Sequence, residues 1–305
     1  MLTLAQTIED QRDLARLCAE RERPRGETLD QNALYGHGRI LKMAAGLPLD
    51  RPVWAVIPHG VSLGTASSWD VGAPVPTAYS FMRDKDDALS QQGRRALIRG
   101  AAPWVHLDEM IGAPPPGGRG TLFFPAHTIK GIDYDVEYDA VADALVALPA
   151  ALQPVRVCVY WADFLKGQHR PFVERGLEVV SAGHNMDPLF PWRLRHLLSQ
   201  HAVAASNTFA THTVYALHAG LHWLHVSTGP IRHRAEPGRE ADYKPSSPDF
   251  VSVLESLLDV GAPVRPAAAV QLADDLLGVQ RQLAPHALAH ALVSAERRHR
   301  LSRAA

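Results

Sequence analysis

From residue 121 onward, short apolar runs alternate with helix-like stretches. The runs "TLFFPAHT", "VRVCVYWADF", "LEVVSAG", "AVAAS" and "LHWLHVS" predict five strands. Residues 136–150 and the segments between the later runs have the apolar spacing of helices. Strands that alternate with helices indicate a parallel, doubly wound sheet. We therefore predict an α/β fold with a parallel sheet for this part of the chain.

The pattern before residue 121 is less regular. "PVWAVIPHG" predicts a short buried strand that ends in a turn, and "LDQNALYGHGRILKMAAGLP" before it predicts a helix. The breaker-rich "GAPPPGGRG" marks a domain boundary. We predict an α/β domain over residues 1–116, a Rossmann-like domain over 117–265 and C-terminal helices over 266–305 that pack back on the first domain. Residues 228–247 are charged and rich in breakers, and they predict a mobile surface loop.

Composition excludes several classes of protein. The 305 residues are 46% hydrophobic and carry a net charge of −1, which gives no reason to expect nucleic acid as a partner. The two cysteines, Cys18 and Cys158, form neither a disulfide framework nor a zinc cluster, so we expect a reducing, cytoplasmic location. The sequence contains no run of 18 apolar residues, so it predicts no membrane span. The basic end "RRHRLSR" allows peripheral contact with the inner membrane surface at most.

Polar residues collect where the predicted strands end. Ligands of doubly wound sheets bind outside the carboxyl ends of the strands, so these residues are the candidate binding groups. They are His127, Thr128, Lys130, His184, Ser206, Asn207, Thr211 and His212. Ser206 and Asn207 close one apolar run just before a helix, and a helix start with hydroxyls nearby suits phosphate. Ordinary helix capping is the alternative. His127 and Lys130 suit a diphosphate, with a plain surface turn as the alternative.

Two histidines of the first domain are candidate catalytic bases. His59 in "IPHGVSLG" follows a buried strand and precedes a glycine, so its ring can face a cleft. Histidine is the simplest base for activating a hydroxyl near neutral pH, although a turn histidine is the alternative. His37 in "YGHG" has a weaker claim because it lies in a helix-like stretch. The sequence contains no GxGxxG, Walker or HExxH motif, and we expect no metal requirement.

The segments "YGHGRILKMAAGLPLDRPVWAVIPHGVSLG", "FFPAHT" and "SAGHNMDPLFPWRLRHLLSQHAVAASNTFATHTVYALHAG" together resemble GT-B-fold glycosyltransferases. More narrowly, the combination is similar to capsule and surface polysaccharide biosynthesis proteins. The resemblance implies two Rossmann-like domains whose parallel sheets face a cleft, followed by a helical C-terminal tail. It also implies that the first domain holds the acceptor and the second holds the nucleotide of the sugar donor.

Parts of the chain depart from related patterns. Ser206-Asn207 with Thr211 is similar to the Ser/Thr motif with which bacterial GT-B sialyltransferases bind CMP, but no His-Pro motif accompanies it. "PHG" looks like the His-Gly element of CDP-glycerol glycerophosphotransferases, yet "AASNTFATH" replaces their Asp-Tyr-Ser-Ser pattern. The acidic residue that commonly grips the donor ribose is missing, and His212 or Tyr215 occupies its neighbourhood.

The resemblance implies transfer of a sugar from a nucleotide-sugar donor, with CMP-activated donors among the candidates. The acceptor is a glycan, a lipid-linked molecule or a small molecule, and no cofactor beyond the donor is expected. A single base with no nucleophilic carboxylate favours inversion. A CDP-polyol phosphotransferase or sugar-nucleotide epimerase of the same architecture is one alternative, and a non-catalytic binding or scaffold protein is another.

Overall fold

A computed structural model describes residues 13–61, 64–112, 118–128, 132–227, 231–235 and 262–304. Contacts divide the chain into two compact units, each of which is described by itself. Unit 1 comprises residues 1–20, 114–184 and 192–270, and unit 2 comprises 21–113, 185–191 and 271–305. The domain limits given by the sequence stay a prediction.

The described residues form short helices and strands throughout. In chain order the helices are α1 (Leu14–Cys18), α2 (Asp30–Ala33), α3 (His37–Ala44), α4 (Ser68–Val71), α5 (Asp86–Leu89), α6 (Pro103–Ile111), α7 (Tyr138–Val146), α8 (Trp161–Leu165), α9 (Arg170–Glu174), α10 (Phe190–Ser199), α11 (Thr211–His218), α12 (Ala267–Leu276) and α13 (Pro285–Ala304). The strands are β1 (Thr77–Ser80), β2 (Ala96–Arg99), β3 (Thr121–Phe124), β4 (Ile132–Asp135), β5 (Val155–Cys158), β6 (Glu178–Val180), β7 (Val203–Ser206), β8 (His222–His225) and β9 (Arg232–Ala235). Four 3₁₀ turns cover Leu34–Gly36, Arg83–Lys85, Ala150–Leu152 and Val279–Arg281.

Unit 1 is built on a five-stranded parallel sheet in the order β6-β5-β3-β7-β8. Two of its three inner strands, β3 and β7, are almost free of polar side chains because both faces are covered: all four residues of each are buried. Phe123, Val157 and Ala205 lie in one apolar cluster with Val141 and Leu145 of α7. The prediction of an α/β fold with parallel sheets and a helical C-terminal end is confirmed.

One element of unit 1 contradicts the sequence prediction. β9 lies within residues 228–247, which were expected to form a mobile loop, and it pairs in antiparallel register with β4. Ile132 is opposite Ala235 in this pair, and Asp135 is opposite Arg232.

Unit 2 contains a smaller parallel sheet of β1 and β2. The strand predicted in "PVWAVIPHG" is reduced to one bridge, between Val56 and Ala78. Its other edge is held by the side chain of Asn32, which is fully buried. The Asn32 amide donates to the carbonyls of Val53 and Ala55 at 3.0 Å each, and its oxygen accepts from the N–H of Ile57 at 2.9 Å. One side chain thus satisfies backbone groups that a neighbouring strand would otherwise pair.

The helix predicted in "LDQNALYGHGRILKMAAGLP" is interrupted. Tyr35 and Gly36 have φ values of 53° and 64°, so the chain leaves the right-handed region between α2 and α3. Glycine is required at the second position, because a Cβ there would lie 2.8 Å from the carbonyl oxygen of Pro188. The turn makes His37 the first residue of α3.

The long helix α13 packs within unit 2. Arg51 donates to Glu296 with both Nε (2.9 Å) and Nη2 (2.6 Å), and the rings of Trp54 and His299 stack at 3.8 Å. These contacts fix the helix beside the segment that leads to His59.

Candidate functional site

The strand order of unit 1 defines where a ligand would bind. Numbered by their succession within this sheet, the five strands lie in the order 3-2-1-4-5, so the chain changes direction of winding between β3 and β7. In open α/β sheets the crevice outside the carboxyl ends of these two strands is the usual ligand site. The loops there begin at Pro125 after β3 and at Asn207 after β7. Of the residues that the sequence singled out, these loops carry His127, Thr128 and Asn207, and Thr211 and His212 begin the helix after the second loop. We call this region the switch-point site.

Asn207 joins the two loops. Its side-chain oxygen accepts a hydrogen bond from the backbone N–H of Ala126 at 2.7 Å, across the boundary between the β3 and β7 loops. The residue is only 7% exposed, and its Nδ2 has no hydrogen-bond partner among the described residues. A buried amide that leaves two N–H donors unused has a strong requirement for an acceptor. The arrangement therefore favours a ligand with oxygen acceptors.

Ser206 does not lie next to a helix start, as its position in the sequence suggested. It is fully buried, and its hydroxyl accepts from the backbone N–H of Thr208 at 3.1 Å, which shapes the turn after β7. The helix expected directly after Ser206 starts only at Thr211, where α11 begins with Thr211 half-buried. The hydroxyl of Thr213 accepts from the Ala210 N–H at 3.2 Å and caps that helix.

A carboxylate lies beneath the loop that follows β3. Asp163 of α8 is 3% exposed, and both of its oxygens accept from the backbone N–H of Thr128 at 3.3 Å. Burial raises the pKa of Asp163, while nearby His127 favours its charged form. The His127 ring stacks on Tyr160 at 4.3 Å, and its Nδ1 lies 3.1 Å from the Thr128 carbonyl oxygen. The hydrogen bonds to Asp163 thus fix the backbone at Thr128, and stacking on Tyr160 fixes the position of the His127 ring.

His212 lies against the end of β3. Its ring stacks on Phe124 at 5.0 Å and on Trp223 at 5.7 Å, and its Nε2 has no hydrogen-bond partner among the described residues. Desolvation, with a smaller contribution from His127, lowers the pKa of His212 to about 3. The ring is therefore neutral near pH 7, and it offers a hydrogen bond or a stacking face rather than a positive charge.

Two predicted binding residues are not part of this group. His184 follows the edge strand β6, where its backbone N–H donates to Leu17 at 2.9 Å and its Nε2 lies 3.5 Å from a carboxylate oxygen of Glu20. Its ring lies 4.0 Å from that of Trp161. Lys130 lies outside the described residues.

In unit 2, His59 faces a buried carboxylate. Its Nδ1 lies 3.4 Å from both oxygens of Asp70, which is 2% exposed, whereas the His59 side chain is 37% exposed. A carboxylate beside Nδ1 favours the tautomer with the proton on Nδ1, which makes Nε2 the basic nitrogen that a general base requires. Sequence reasoning missed Asp70 because the stretch around it has the composition of a loop, and no spacing ties it to His59.

His37 is less suited to catalysis than His59. It is 3% exposed, and burial together with nearby His59 lowers its pKa to about 3, although contact with the Pro58 backbone opposes this. A base with so low a pKa accepts a proton weakly near neutral pH. His37 packs against the turn that carries His59. Its predicted catalytic role stays a prediction.

Within the described residues, no group of three or more histidine, cysteine, aspartate or glutamate side chains has the placement of a metal site. In the same part of the chain no helix is both long and apolar enough to span a membrane.

No protein-family model matches the sequence, and neither does any curated protein. Similar solved structures include a candidate UDP-N-acetylglucosamine 2-epimerase from Listeria monocytogenes, with 11% identity over 77% of this chain and a TM-score of 0.37. A UDP-GlcNAc 2-epimerase from Neisseria meningitidis bound to UDP-GlcNAc has 8% identity over 81% of this chain and a TM-score of 0.36, with 68% of its own length covered. The pneumococcal O-GlcNAc transferase GtfA, solved with UDP and GlcNAc, has 11% identity over 87% of this chain and a TM-score of 0.35. This chain spans 61% of the Listeria protein and 53% of the transferase. Likenesses at this level assign neither a family nor an activity to this chain.

Proposed function

We propose that the protein is a glycosyltransferase that moves a sugar from a nucleotide-sugar donor to an acceptor hydroxyl. The observation that carries the proposal is the switch-point site. There, buried Asn207 ties the ends of β3 and β7 together and keeps two amide donors available for the oxygens of a phosphate. Unit 1 then binds the donor nucleotide, and His59 is the base that the sequence predicts.

The donor's phosphates are bound by Asn207 Nδ2 and by the loop that carries His127. A histidine in its charged form offers a cation to the departing phosphate, and oriented dipoles can stabilise such a leaving group without a metal ion. Asp163 holds the loop by accepting a hydrogen bond from the Thr128 N–H, and its charged form interacts favourably with nearby His127. Lys130, two positions after Thr128 in the sequence, adds a second cation in this proposal.

His59 removes the acceptor proton. The acceptor oxygen attacks the anomeric carbon of the donor sugar, the bond from that carbon to the phosphate oxygen breaks, and its electron pair leaves on the phosphate. The proton passes to Nε2 of His59, while Asp70 stabilises the imidazolium that results. One base and direct displacement give inversion at the anomeric carbon.

The first test is the melting temperature of the protein with CMP, CDP, UMP, UDP and GDP, each with and without magnesium. A ligand at 100 times its dissociation constant adds about 2.7 kcal/mol to stability, which gives a clear upward shift. A shift with CMP supports a CMP-activated donor, and a shift with UDP or GDP supports an ordinary sugar donor. The absence of a shift with all five nucleotides would refute the nucleotide site and favour a binding or scaffold role.

The second test concerns His59. His59→Gln should lower transfer by about 10²–10⁴-fold, the range for a general base, with an unchanged nucleotide shift. Equal turnover in this variant would remove His59 from the mechanism. Product analysis separates the neighbouring chemistries: an epimerase converts the nucleotide sugar without an acceptor, and a polyol phosphotransferase transfers phosphate with the polyol.

A further inference from the structure

Helix α13 is packed over only part of its length. Its buried side chains recur at intervals of four and three positions: Leu288, Leu292 and Ala295. His299 continues this series, and its ring stacks on that of Trp54 at 3.8 Å. Positions with this spacing lie on one face of a helix, so this is the face that unit 2 covers. Residues 300–304 are all exposed, and the packed part of α13 therefore ends at His299.

Leu301 points away from the packed face. It is 71% exposed, the highest value among the exposed large apolar side chains of the described residues. Arg297 and Arg298 lie four and three positions before it, so they are its neighbours on the helix surface. Both arginines are exposed, and neither has a hydrogen bond or an ion pair within the described part of the chain. An apolar side chain thus lies beside two cations that no protein group neutralises.

The same helix concentrates positive charge. It contains four arginines and one glutamate, a net charge of +3, whereas the whole chain has a net charge of −1. The glutamate, Glu296, accepts two hydrogen bonds from Arg51 and one from Arg300. No further acid of α13 is present to neutralise Arg297 and Arg298. The last turns of the helix therefore attract an anionic partner.

We propose that residues 297–304, which we call the α13 end, dock on a bilayer that contains anionic phospholipid. Arg297 and Arg298 contact the lipid phosphates, and Leu301 enters the boundary between headgroups and acyl chains. The apolar side chain selects a bilayer over nucleic acid, because a nucleic-acid backbone offers phosphates but no hydrocarbon in which Leu301 could be buried. The docking does not depend on the proposed function.

The experiment is co-sedimentation of the 305-residue protein with vesicles. One kind of vesicle is phosphatidylcholine alone, and the other is equal parts of phosphatidylcholine and phosphatidylglycerol. We expect binding to the mixed vesicles only. Binding should be at least about tenfold weaker in about 1 M salt than in about 0.1 M salt, because the Debye length falls from about 10 Å to about 3 Å.

Variants of the α13 end separate the two contributions. The double variant Arg297→Gln/Arg298→Gln should bind the mixed vesicles about thirtyfold more weakly, since each basic residue near an anionic surface contributes a factor of about five. Leu301→Ala should bind at least about fourfold more weakly, which is the factor for one buried methylene. Melting temperatures report whether each variant has folded.

Matched controls come from unit 2 outside α13. Arg83→Gln/Arg94→Gln removes two exposed positive charges, and Met110→Ala shortens an apolar side chain that is 40% exposed. Both controls should bind as the wild type does. A polarity-sensitive dye on Leu301→Cys should shift to shorter wavelength with mixed vesicles, and the same dye on Met110→Cys should not. The two native cysteines are buried, so they should not take up the dye in the folded protein.

Four results would overturn the inference. They are equal binding to both kinds of vesicle, binding to neither, unchanged binding by folded Arg297→Gln/Arg298→Gln, and an equal loss in the Arg83→Gln/Arg94→Gln control. Tighter binding to double-stranded DNA than to mixed vesicles would identify nucleic acid as the partner and would also refute the docking. The nucleotide shifts that test the proposed function need no vesicles, so either proposal can fail without the other.

Discussion

Asn207 permits a test that separates folding from ligand binding. Its oxygen serves the protein, as the acceptor for the Ala126 N–H at 2.7 Å, while its nitrogen is the group proposed to serve the ligand. Asn207→Asp keeps an oxygen acceptor for the Ala126 N–H but replaces the two amide donors with a charged oxygen. Asn207→Ala removes both functions. The two variants should therefore differ in stability and agree in their loss of nucleotide affinity.

The magnitudes follow from the burial of the bridge. Asn207→Ala leaves the Ala126 N–H without its partner, which costs about 1–3 kcal/mol. One kcal/mol corresponds to about 2–4 °C of melting temperature in domains of 150–250 residues. Asn207→Asp should retain most of this stability. Its affinity for a nucleoside diphosphate should fall by at least about tenfold to a hundredfold, because a hydrogen bond to a charged group contributes about 1.5–3 kcal/mol and the new charge repels phosphate.

The assay is thermal unfolding of each variant with and without the nucleotide that gives the largest wild-type shift, followed by calorimetric titration of the same nucleotide. Gln200→Glu is the matched control, since it adds the same charge to unit 1 before β7, at the opposite end of the strands, where it faces Arg156. It should bind nucleotide normally. If Asn207→Asp binds nucleotide as tightly as Gln200→Glu, the reasoning about the amide donors is wrong.

Three further predictions concern unit 2. Asp70→Asn should lower turnover at least tenfold without changing the nucleotide shift, because His59 loses the carboxylate that orients its ring. Normal turnover would refute the orienting role. The pKa of His37 is lowered to about 3 in the folded protein, so between about pH 6.5 and pH 3 only the unfolded chain binds its proton and stability falls as the pH falls. Urea unfolding at pH 7 and pH 5 should therefore show a loss in wild type about 2 kcal/mol larger than in His37→Gln, and equal losses would contradict the low pKa. Asn32→Leu leaves two carbonyls and one N–H unpaired and should cost roughly 3 kcal/mol or more in urea unfolding; a cost below about 1 kcal/mol would show that this clamp contributes little.

The sequence was informative where its patterns are local. The apolar runs that became β3 and β7 alternate with helices, and parallel strands must end on one side of a sheet. The loops after these two strands therefore lie side by side, where Asn207 accepts a hydrogen bond from the N–H of Ala126, 81 positions earlier in the chain. The strand order, which selects β3 and β7 as the site, rests on long-range pairing that no single run encodes.

Features set by distant contacts were missed or wrong. Asp70 became the partner of His59 only through folding of a stretch with the composition of a loop. β9 was predicted as a loop because its charges outweigh its apolar residues, and its partner β4 lies about a hundred positions earlier in the chain. The break before His37 comes from left-handed backbone at two positions, one of them a tyrosine, for which local propensity gives little warning.

The Asn32 clamp also bears on self-association. Exposed strand edges are templates on which a second chain can add a strand and begin an aggregate. The amide of Asn32 occupies two carbonyls and one N–H on the outer edge of residues 53–57, so this edge is closed to such pairing as long as α2 stays in place. Local opening of that four-residue helix would uncover the edge without unfolding the rest of unit 2. The segment that leads to His59, the predicted base, would then also offer an edge for association with a second chain.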